Sequence, residues 1–266
     1  MISKVLSIAG TDPSGGAGIQ ADIKTITAFK CYALSVVTAL VAQNTTGVKS
    51  ILEVPLDFIS TQIDCVLEDI KVDTIKIGML HKTNIVNLIS KKIIENSLVC
   101  PLVIDPVMVA KSGDDLLTED ARKSLINNLI PRATIVTPNI PEAEIISEMR
   151  IISEKEIVRA GELILAMGPS AVLMKGGHSN SQIVRDYLIQ ENNIDIFETD
   201  RINTRNTHGT GCTLSAAIAS GLSRGYEIKK AVAIAHEYVN KAIKNAPGIG
   251  RGYGPLNHVH SIEPLA

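Results

Sequence analysis

Short apolar runs alternate with longer segments of helical spacing along most of the chain. We predict strands at residues 5–9, 35–42, 48–54, 74–77, 102–104, 134–136 and 171–174. Apolar residues recur with helical spacing between Ile19 and Phe29, which predicts a helix there. Pro55 suits the first turn of another helix, which we expect to run to about residue 70. The later short strands are each expected to lead through a loop into a helical segment.

The last third of the chain begins with a different pattern. The elements expected there are an antiparallel hairpin at 183–189 and 195–198, turning at Asn192-Asn193, and helices over 209–223 and 228–244. Strands that are apolar on both faces and separated by helices indicate a mostly parallel sheet covered on both sides. No low-complexity linker or solenoid repeat interrupts the pattern, so we expect one α/β domain over residues 1–266.

Glycine and polar residues collect directly after the predicted strands. These segments are residues 10–18, 43–45, 78–79, 105–108, 137–142 and 175–178. In an open α/β sheet, ligands bind at the carboxyl ends of the strands. The sequence therefore predicts a binding site along that edge of the sheet.

Composition and charge exclude several classes of protein. The 26 basic and 28 acidic residues give a net charge of −2, which argues against nucleic acid or a membrane surface as the main partner. A hydrophobic fraction of 45% supplies a large core and excludes intrinsic disorder. The four cysteines lie far apart without a Cys-x-x-Cys pair, so neither a disulfide framework nor a zinc site is expected. We expect a soluble, cytoplasmic protein.

The first glycine-rich loop matches a dinucleotide-binding pattern only in part. Residues 16–21 fit G-x-G-x-x-[GA], but no acidic residue occurs between 35 and 46 to hold a ribose. The chain also lacks any Gly-Lys pair, and therefore a Walker A motif, and it has no protein-kinase signature. ATP binding by this sequence would require a different phosphate site.

A second glycine-rich turn, at residues 206–215, runs directly into a helix of small residues. The first N–H groups of a helix attract an anion, and Gly209 and Gly211 let the backbone approach a phosphate closely. Cys212 lies in the first turn, where we expect the helix terminus to favour the thiolate. A helix start with a packed cysteine is the alternative. Glycines on both sides of Thr210 favour the anion site.

These segments resemble the ribokinase superfamily and, within it, the hydroxymethylpyrimidine and phosphomethylpyrimidine kinases. The resemblance is carried by residues 9–22, 41–45, 76–80, 105–108, 137–139, 174–178, 206–215 and 254–258, and it covers essentially the whole chain. It implies a ribokinase-like three-layer α/β/α sandwich with a central, mostly parallel sheet. Most of the superfamily has Asp where this chain has Cys212, a departure that agrees with the pyrimidine-kinase branch.

The resemblance implies a role for each part of the second turn. Gly209, Thr210 and Gly211, with the Cys212 amide, would form an anion hole for the transferring phosphate. Cys212 would accept or orient the proton of the substrate hydroxymethyl group, and Lys175 would contact a phosphate oxygen. The nucleotide-binding residues that the resemblance implies are Asp105, Asn139, Lys175, Thr207, Gly209 and Gly211.

The resemblance also implies a metal site and a pyrimidine site. Asp105 and Glu142 would bind Mg²⁺, although Asn139 and Glu142 by themselves also match a helix capping box. The residues implied for the pyrimidine are Asp22, Gln43, Met79 and Val107, with Met108 as a further candidate. A carboxylate accepts a hydrogen bond from an exocyclic amine, a carboxamide both donates and accepts, and methionine adapts to a flat ring.

The expected activity is the ATP- and Mg²⁺-dependent phosphorylation of 4-amino-5-hydroxymethyl-2-methylpyrimidine, and of its monophosphate to the diphosphate, in thiamine biosynthesis. A pyridoxal or pyridoxine kinase of the same branch and a catalytically idle pyrimidine-binding protein are the alternatives. The resemblance further implies a homodimer. Residues 109–116 and 245–253 contain glycines and are candidate lids over the site.

Overall fold

An eight-stranded sheet forms the centre of the computed structural model, which describes residues 1–109, 113, 116–177 and 181–263. The strands of this sheet and of a separate two-stranded sheet are β1 (Lys4–Ala9), β2 (Tyr32–Val37), β3 (Ala39–Asn44), β4 (Gly47–Glu53), β5 (Thr74–Ile77), β6 (Leu102–Ile104), β7 (Ile135–Val136), β8 (Val172–Met174), β9 (Ile183–Gln190) and β10 (Asn193–Asp200). The helices in the same residues are α1 (Gly18–Ala28), α2 (Leu56–Asp69), α3 (Thr83–Glu95), α4 (Glu119–Asn128), α5 (Ile140–Ser147), α6 (Glu154–Leu165), α7 (Thr210–Ser223) and α8 (Ile228–Lys244). His178 and most of the candidate lid at 109–116 lie outside the described residues.

The strand order of the large sheet is β10-β9-β8-β7-β6-β5-β1-β2. The strands from β2 to β8 in this order pair in parallel, and β9 and β10 add an antiparallel edge. The chain places β2 on one side of β1 and then returns to its other side with β5. The gap between β1 and β5 is therefore a topological switch point, where ligands bind in sheets of this kind. The predicted mostly parallel sheet is confirmed.

Alternate residues of the central strands face two different cores. Leu102 and Ile104 of β6 pack with apolar side chains of α2 to α6, whereas Val103 packs with those of α1, α7 and α8. Successive side chains of a strand point to opposite faces, so each central strand is buried on both sides. The result is the expected three-layer α/β/α arrangement.

The single strand predicted over residues 35–42 is wrong, because two strands of different sheets share this segment. The fully buried Thr38 separates β2 from β3. Its N–H donates to the Ala9 carbonyl at 3.0 Å, and its Oγ1 donates to the Met79 carbonyl at 2.8 Å. These bonds hold the chain where it leaves the large sheet to form the β3-β4 hairpin. The continuous apolar run carries no Gly or Pro that would indicate this break.

The segment after β8 also differs from the prediction. The described residues between β8 and β9, at 175–177, 181 and 182, form no helix, and the chain continues into the antiparallel hairpin of β9 and β10. The hairpin itself is confirmed, as are the last two helices, since α7 begins at Thr210 and α8 spans the predicted residues. None of the helices in the described residues is both long and apolar enough to cross a membrane.

Candidate active site

The carboxyl ends of the parallel strands surround a cavity of about 670 Å³. This volume is typical of sites for small ligands. The predicted site residues that line it are Gln43, Met79, Asp105, Val107, Asn139, Glu142, Lys175, Thr207, Gly209, Thr210, Gly211 and Cys212, together with the further candidate Met108. The fold thus brings together residues that are far apart in sequence. Asp22 is the predicted site residue that does not line the cavity.

The turn before α7 has the geometry of an anion site. Gly209 caps the helix in the left-handed conformation, with φ of 78°, and a Cβ there would lie 1.7 Å from the Gly16 carbonyl oxygen. Only glycine fits this position, because of both the φ angle and the contact. The first N–H groups of a helix have no acceptor within it. Those of Gly211 and Cys212 belong to residues on the cavity wall, so they are positioned to bind a phosphate.

The first glycine-rich loop is bound to this turn by an Asp-His pair. His208 Nε2 lies 2.8 Å from Asp12 Oδ2, and the Asp12 side chain is fully buried. The same carboxylate accepts hydrogen bonds from the backbone N–H groups of Ser14, Gly16 and Ala17. Burial would raise the pKa of Asp12, but the hydrogen bonds from His208 and Ser14 outweigh it and hold the pKa below its ordinary value. The carboxylate is therefore ionised and connects the two loops.

Lys175 and Asp105 form an ion pair beside the turn. Lys175 follows β8 and its Nζ donates to Asp105 Oδ1, after β6, at 2.9 Å. Burial would lower the pKa of Lys175, but Asp105 outweighs it and the pKa lies above its ordinary value. A Cβ on Gly211 would approach the Lys175 ammonium to 3.2 Å. The cation is thus adjacent to the anion turn, where it can neutralise a phosphate oxygen.

Asn139 and Glu142 form the capping box at the start of α5. The Asn139 side chain accepts from the Glu142 N–H at 2.9 Å, and Glu142 Oε2 accepts from the Asn139 N–H at 2.8 Å. Burial raises the pKa of Glu142 to about 7. Glu142 and Asp105 both line the cavity, and carboxylate oxygens are donors that Mg²⁺ accepts. The capping role and a metal role are compatible, because a carboxylate oxygen has more than one lone pair.

The expectation that the start of α7 favours the Cys212 thiolate is wrong for this structure. Burial raises the pKa of the Cys212 thiol to about 11, and the nearby carboxylates of Asp22 and Asp105 add to the rise. The helix terminus and the hydrogen bond from the Gly18 N–H do not compensate for the loss of water. Cys212 nevertheless belongs to the cavity wall, and the residue as a whole is partly exposed.

The predicted pyrimidine residues Gln43, Met79 and Val107 lie on three neighbouring elements. Gln43 is on β3 where the register to β4 shifts, and such a bulge redirects a side chain. Met79 follows β5 and Val107 follows β6. A Cβ on Gly10 would lie only 3.0 Å from the Met79 sulfur, so glycine there makes room for the methionine. An amide and two apolar side chains thus line one part of the cavity.

Asp22, predicted to contact the pyrimidine, lies behind the cavity wall. Its carboxylate is fully buried and binds Lys76 Nζ at 2.8 and 3.0 Å. Ser7 Oγ donates to the same group. With these partners Asp22 has no surface toward a ligand, so a direct contact is not supported. Lys76, which does line the cavity, was missed because a lysine inside a short apolar strand matches no motif.

A further part of the cavity wall carries residues that the sequence analysis did not single out. They belong to the β9-β10 hairpin, the segment after it, and α8, and include Asp186, Arg201, His236 and Asn240. Asp186 accepts a hydrogen bond from the Gly176 N–H at 2.8 Å and lies 3.7 Å from His236 Nε2. These residues were not predicted because they form no local sequence motif. Since they line the cavity, it extends beyond the turn before α7 and the region around Gln43.

Comparison with protein families and curated proteins gives a consistent result. A family model described as phosphomethylpyrimidine kinase matches residues 12–257. The hydroxymethylpyrimidine/phosphomethylpyrimidine kinase of Salmonella typhimurium strain LT2 is 45% identical over 259 residues, which cover 96% of this chain and 97% of that protein.

Solved structures agree with these matches. A crystal structure of phosphomethylpyrimidine kinase from Clostridium difficile 630 is 44% identical, with a TM-score of 0.81, over 91% of this chain and 99% of that chain. An ADP complex of Bacillus subtilis pyridoxal kinase is 34% identical, with a TM-score of 0.90, over 97% and 98%. The expected ribokinase-like fold is confirmed. Because the family match spans most of its length, this chain is a kinase that belongs to the phosphomethylpyrimidine kinase family.

Proposed function

We propose that this kinase transfers the γ-phosphate of ATP to the hydroxyl group of 4-amino-5-hydroxymethyl-2-methylpyrimidine, and then phosphorylates the resulting monophosphate, in thiamine biosynthesis. One observation carries the proposal: the anion turn of α7 and the Lys175–Asp105 pair share a cavity with Gln43 and Met79. This arrangement supports the proposal that one cavity combines a phosphate site with a site for a flat ring. The names of the relatives support the choice of acceptor.

Phosphoryl transfer depends on positioning and charge neutralisation. The N–H groups of Gly211 and Cys212 would stabilise the transferring phosphate, and Lys175 would neutralise one of its oxygens. In the first step Cys212 would first lose its thiol proton to solvent; the hydroxyl oxygen then attacks the γ-phosphorus, the hydroxyl proton passes to the Cys212 thiolate, and the bond from phosphorus to the ADP oxygen breaks. In the second step a phosphate oxygen is the nucleophile, so no hydroxyl proton has to be removed.

Asp105 and Glu142 would hold Mg²⁺ together with the ATP phosphates. Mg²⁺ commonly keeps several waters and takes one or two carboxylates plus phosphate oxygens. The described residues contain no cluster of three or more His, Cys, Asp or Glu able to bind a metal, so phosphates and water would complete the shell. The bound ion would neutralise charge on the phosphates. Asn139 positions Glu142 through the capping box, and Thr207 lies on the wall beside the turn.

Gln43 would recognise the aminopyrimidine ring. Its carboxamide both donates and accepts, which matches a ring nitrogen next to an exocyclic amine. Met79 and Val107 would contact the faces of the ring, with Met108 behind them as a buried residue. Asp22 has no direct part in this contact, because Lys76 and Ser7 occupy its carboxylate.

Pyridoxal is the second candidate acceptor. The observation that favours it is the likeness to Bacillus subtilis pyridoxal kinase, with a TM-score of 0.90 over 97% of this chain. Pyridoxal also has a hydroxymethyl group on a flat nitrogen ring, so the same turn could phosphorylate it. The higher identity of the pyrimidine kinases, 44% against 34%, favours the pyrimidine.

The proposal includes a single kinase domain and a homodimer in the cytoplasm, where ATP is available. Leu40 of β3 and Leu52 of β4 face each other across the small sheet and are 47% and 64% exposed. Apolar side chains on an open sheet face are suited to contact with a second copy. Sedimentation of the purified protein would give twice the chain mass if this holds, and the single mass if it does not.

The test is ADP release by the purified enzyme with ATP and Mg²⁺, offering the hydroxymethylpyrimidine, its monophosphate and pyridoxal separately. We expect turnover with both pyrimidines. Lys175→Met should lower kcat by about a hundredfold or more, since it removes a charge that stabilises the transition state. Lys92→Met is the matched control, because Lys92 pairs with Asp64 on the outer helices α2 and α3.

Three outcomes would contradict the proposal. Turnover with pyridoxal alone would assign the chain to pyridoxal kinases. Thermal stabilisation by the pyrimidine without ADP release would indicate a binding protein on a kinase fold. Equal activity of the Lys175→Met and Lys92→Met variants would remove Lys175 from the phosphate site.

A further inference from the structure

Asp186 is a buried carboxyl group on the cavity wall that none of the steps above uses. It lies in β9, whose pairing with β8 ends at Met174 opposite Tyr187. Asp186 is therefore the next residue along β9 from that last pair, and Lys175 is the next one after β8. Removing a carboxyl group from water is unfavourable unless it gains hydrogen bonds in the fold. The partners of Asp186 show what it gains.

The carboxyl group of Asp186 binds the peptide unit that joins Lys175 to Gly176. Asp186 Oδ1 accepts from the Gly176 N–H at 2.8 Å, and this nitrogen is bonded to the carbonyl carbon of Lys175. The Gly176 backbone also packs closely on β9, because a Cβ there would lie 1.9 Å from the Arg185 carbonyl oxygen. Burial raises the pKa of Asp186, but a carboxyl group keeps an acceptor oxygen in either protonation state. The bond to Gly176 therefore does not depend on the charge.

The other oxygen of the same carboxyl group faces α8. Asp186 Oδ2 lies 3.7 Å from His236 Nε2, a distance at which charges attract but no hydrogen bond forms. The His236 ring in turn lies against Phe197 of β10, with 5.8 Å between the ring centroids. The carboxyl group is thus enclosed between the hairpin, the segment after β8 and α8.

The backbone of Lys175 is held on both sides of its Cα. Its own N–H donates to the Pro138 carbonyl at 2.9 Å, and the peptide that follows is bound by Asp186. At the far end of the side chain, Nζ donates to Asp105 at 2.9 Å. A lysine side chain is a flexible four-carbon stem, so the place of its ammonium depends on where the backbone is fixed. Asp186 therefore contributes to the position of the Lys175 charge in the cavity.

We propose that Asp186 is a positioning residue for phosphoryl transfer, which binds the Lys175–Gly176 peptide and so fixes the Lys175 ammonium beside the anion turn. This inference rests on the proposed contact between Lys175 and a phosphate oxygen. Without the bond the peptide can shift, and a displacement of about 1 Å can lower the rate of a positioned reaction about a hundredfold. Gln43 and Met79 belong to other elements, so binding of the acceptor ring should not change.

The test compares kcat for ADP release in the wild type, Asp186→Ala, Lys175→Met and the double variant. The acceptor is whichever of the hydroxymethylpyrimidine, its monophosphate and pyridoxal the enzyme phosphorylates. Asp186→Ala should lower kcat about tenfold and leave KM for the acceptor within about twofold. With Lys175→Met already present, the same change should lower kcat less than about twofold, because no ammonium is left to position. A carboxyl group that only supports the fold would lower kcat by the same factor in both backgrounds.

Two control variants separate the hydrogen bond from the loss of a carboxyl group. Asp186→Asn keeps an acceptor oxygen for the Gly176 N–H and should retain kcat within about threefold. Asp73 accepts from the Lys4 N–H at the same distance of 2.8 Å, at the amino ends of β1 and β5 and so away from the cavity. Asp73→Ala should leave both kcat and KM unchanged.

A second measurement needs neither ATP nor turnover. Exchange of the Gly176 amide hydrogen, followed by NMR, should be about fivefold faster or more in Asp186→Ala than in the wild type, since one hydrogen bond is lost. It should be unchanged in Asp73→Ala. If Asp186→Ala does not fold, Asp186→Ser takes its place, because serine is polar but too short to reach the Gly176 N–H.

The outcomes distinguish this inference from the proposed function. Unchanged Gly176 exchange, a kcat equal to that of Asp73→Ala, or equal factors in the two Lys175 backgrounds would overturn the inference and leave the proposed function standing. If Lys175→Met is itself as active as the wild type, the phosphate role of Lys175 fails and the inference fails with it.

Discussion

Gly209 is the residue on which the shape of the anion turn depends most directly. A Cβ there would overlap the Gly16 carbonyl oxygen, and the φ angle of 78° is unfavourable for any L side chain. We expect Gly209→Ala to lower the free energy of unfolding by about 2–5 kcal/mol and to abolish activity, because both the strain and the overlap must be relieved. Urea unfolding and ADP release measure the two effects.

Gly225 provides the matched control. Its φ angle is 79°, but a Cβ there would meet nothing within 4 Å. Gly225→Ala should therefore cost only about 1 kcal/mol and leave activity intact. Equal losses in the two variants would mean that the contact between Gly209 and Gly16 is unimportant.

The sequence predicted the turn before α7 as part of the candidate site, but it did not reveal the ion pair behind the cavity wall. Gly209, Gly211 and Cys212 were found because a glycine-rich turn before a helix has a local meaning. The Asp22–Lys76 pair was not found, since its partners are 54 positions apart and only the fold brings them together. The same limit explains the error in the protonation of Cys212, because burial depends on tertiary structure and outweighs the helix terminus.

The Asp12–His208 pair joins two elements, the first glycine-rich loop and the turn before α7. We expect Asp12→Asn and His208→Asn each to lower kcat/KM about tenfold or more, because the Gly209–Gly211 turn loses its support. Steady-state kinetics of the single and double variants form a double-mutant cycle. The double variant should be little worse than either single one, since both remove the same connection. Strictly additive losses would show that the two residues act independently.

The C-terminal segment is connected to α7 through His258. The buried His258 Nε2 lies 3.0 Å from Thr213 Oγ1, next to Cys212 in the helix, and its carbonyl accepts from Tyr238 of α8 at 2.7 Å. Burial lowers the pKa of His258 to about 4. The unfolded chain, with an imidazole pKa of about 6.5, binds more protons between these values. The folded state therefore loses stability as the pH falls from about 6.5 to 4.

His258→Gln removes the titrating group while keeping an acceptor for Thr213. Between pH 7.5 and pH 5 this histidine should lower the free energy of unfolding of the wild type by about 2 kcal/mol. The total loss over the same pH range should therefore be about 2 kcal/mol smaller in the variant than in the wild type. Urea denaturation at the two pH values measures the difference. An equal loss in both proteins would show that His258 does not titrate below its ordinary pKa.

Element boundaries were predicted well where the pattern is local. The strands 74–77 and 102–104 and the helix 228–244 agree with the structure, because short apolar strands and helical spacing are unambiguous there. The break at Thr38 was missed, since it depends on hydrogen bonds to Ala9 and Met79 in other strands. Gln43 consequently lies on the small sheet rather than at the end of a strand of the large one.

At the scale of the whole molecule, strand order decides which side chains meet. The sequence predicted that polar segments gather at one sheet edge, but it does not give the order β6-β5-β1-β2. That order places Lys76 of β5 against β1, where Asp22 of α1 reaches it. The neighbouring order β8-β7-β6 brings Lys175, after β8, close enough to bind Asp105, after β6. Two lysine-carboxylate pairs thus lie near Cys212. The resemblance supplied the fold class, whereas these pairings come from the three-dimensional structure.

The most direct test of the central claim is one reaction that contains equal amounts of the hydroxymethylpyrimidine and pyridoxal, with ATP and Mg²⁺, followed over time by mass spectrometry of the products. We expect the pyrimidine to gain one and then a second phosphoryl group, with the monophosphate appearing first, while pyridoxal is consumed more slowly. Preferential phosphorylation of pyridoxal, or a pyrimidine that remains unmodified, would contradict it.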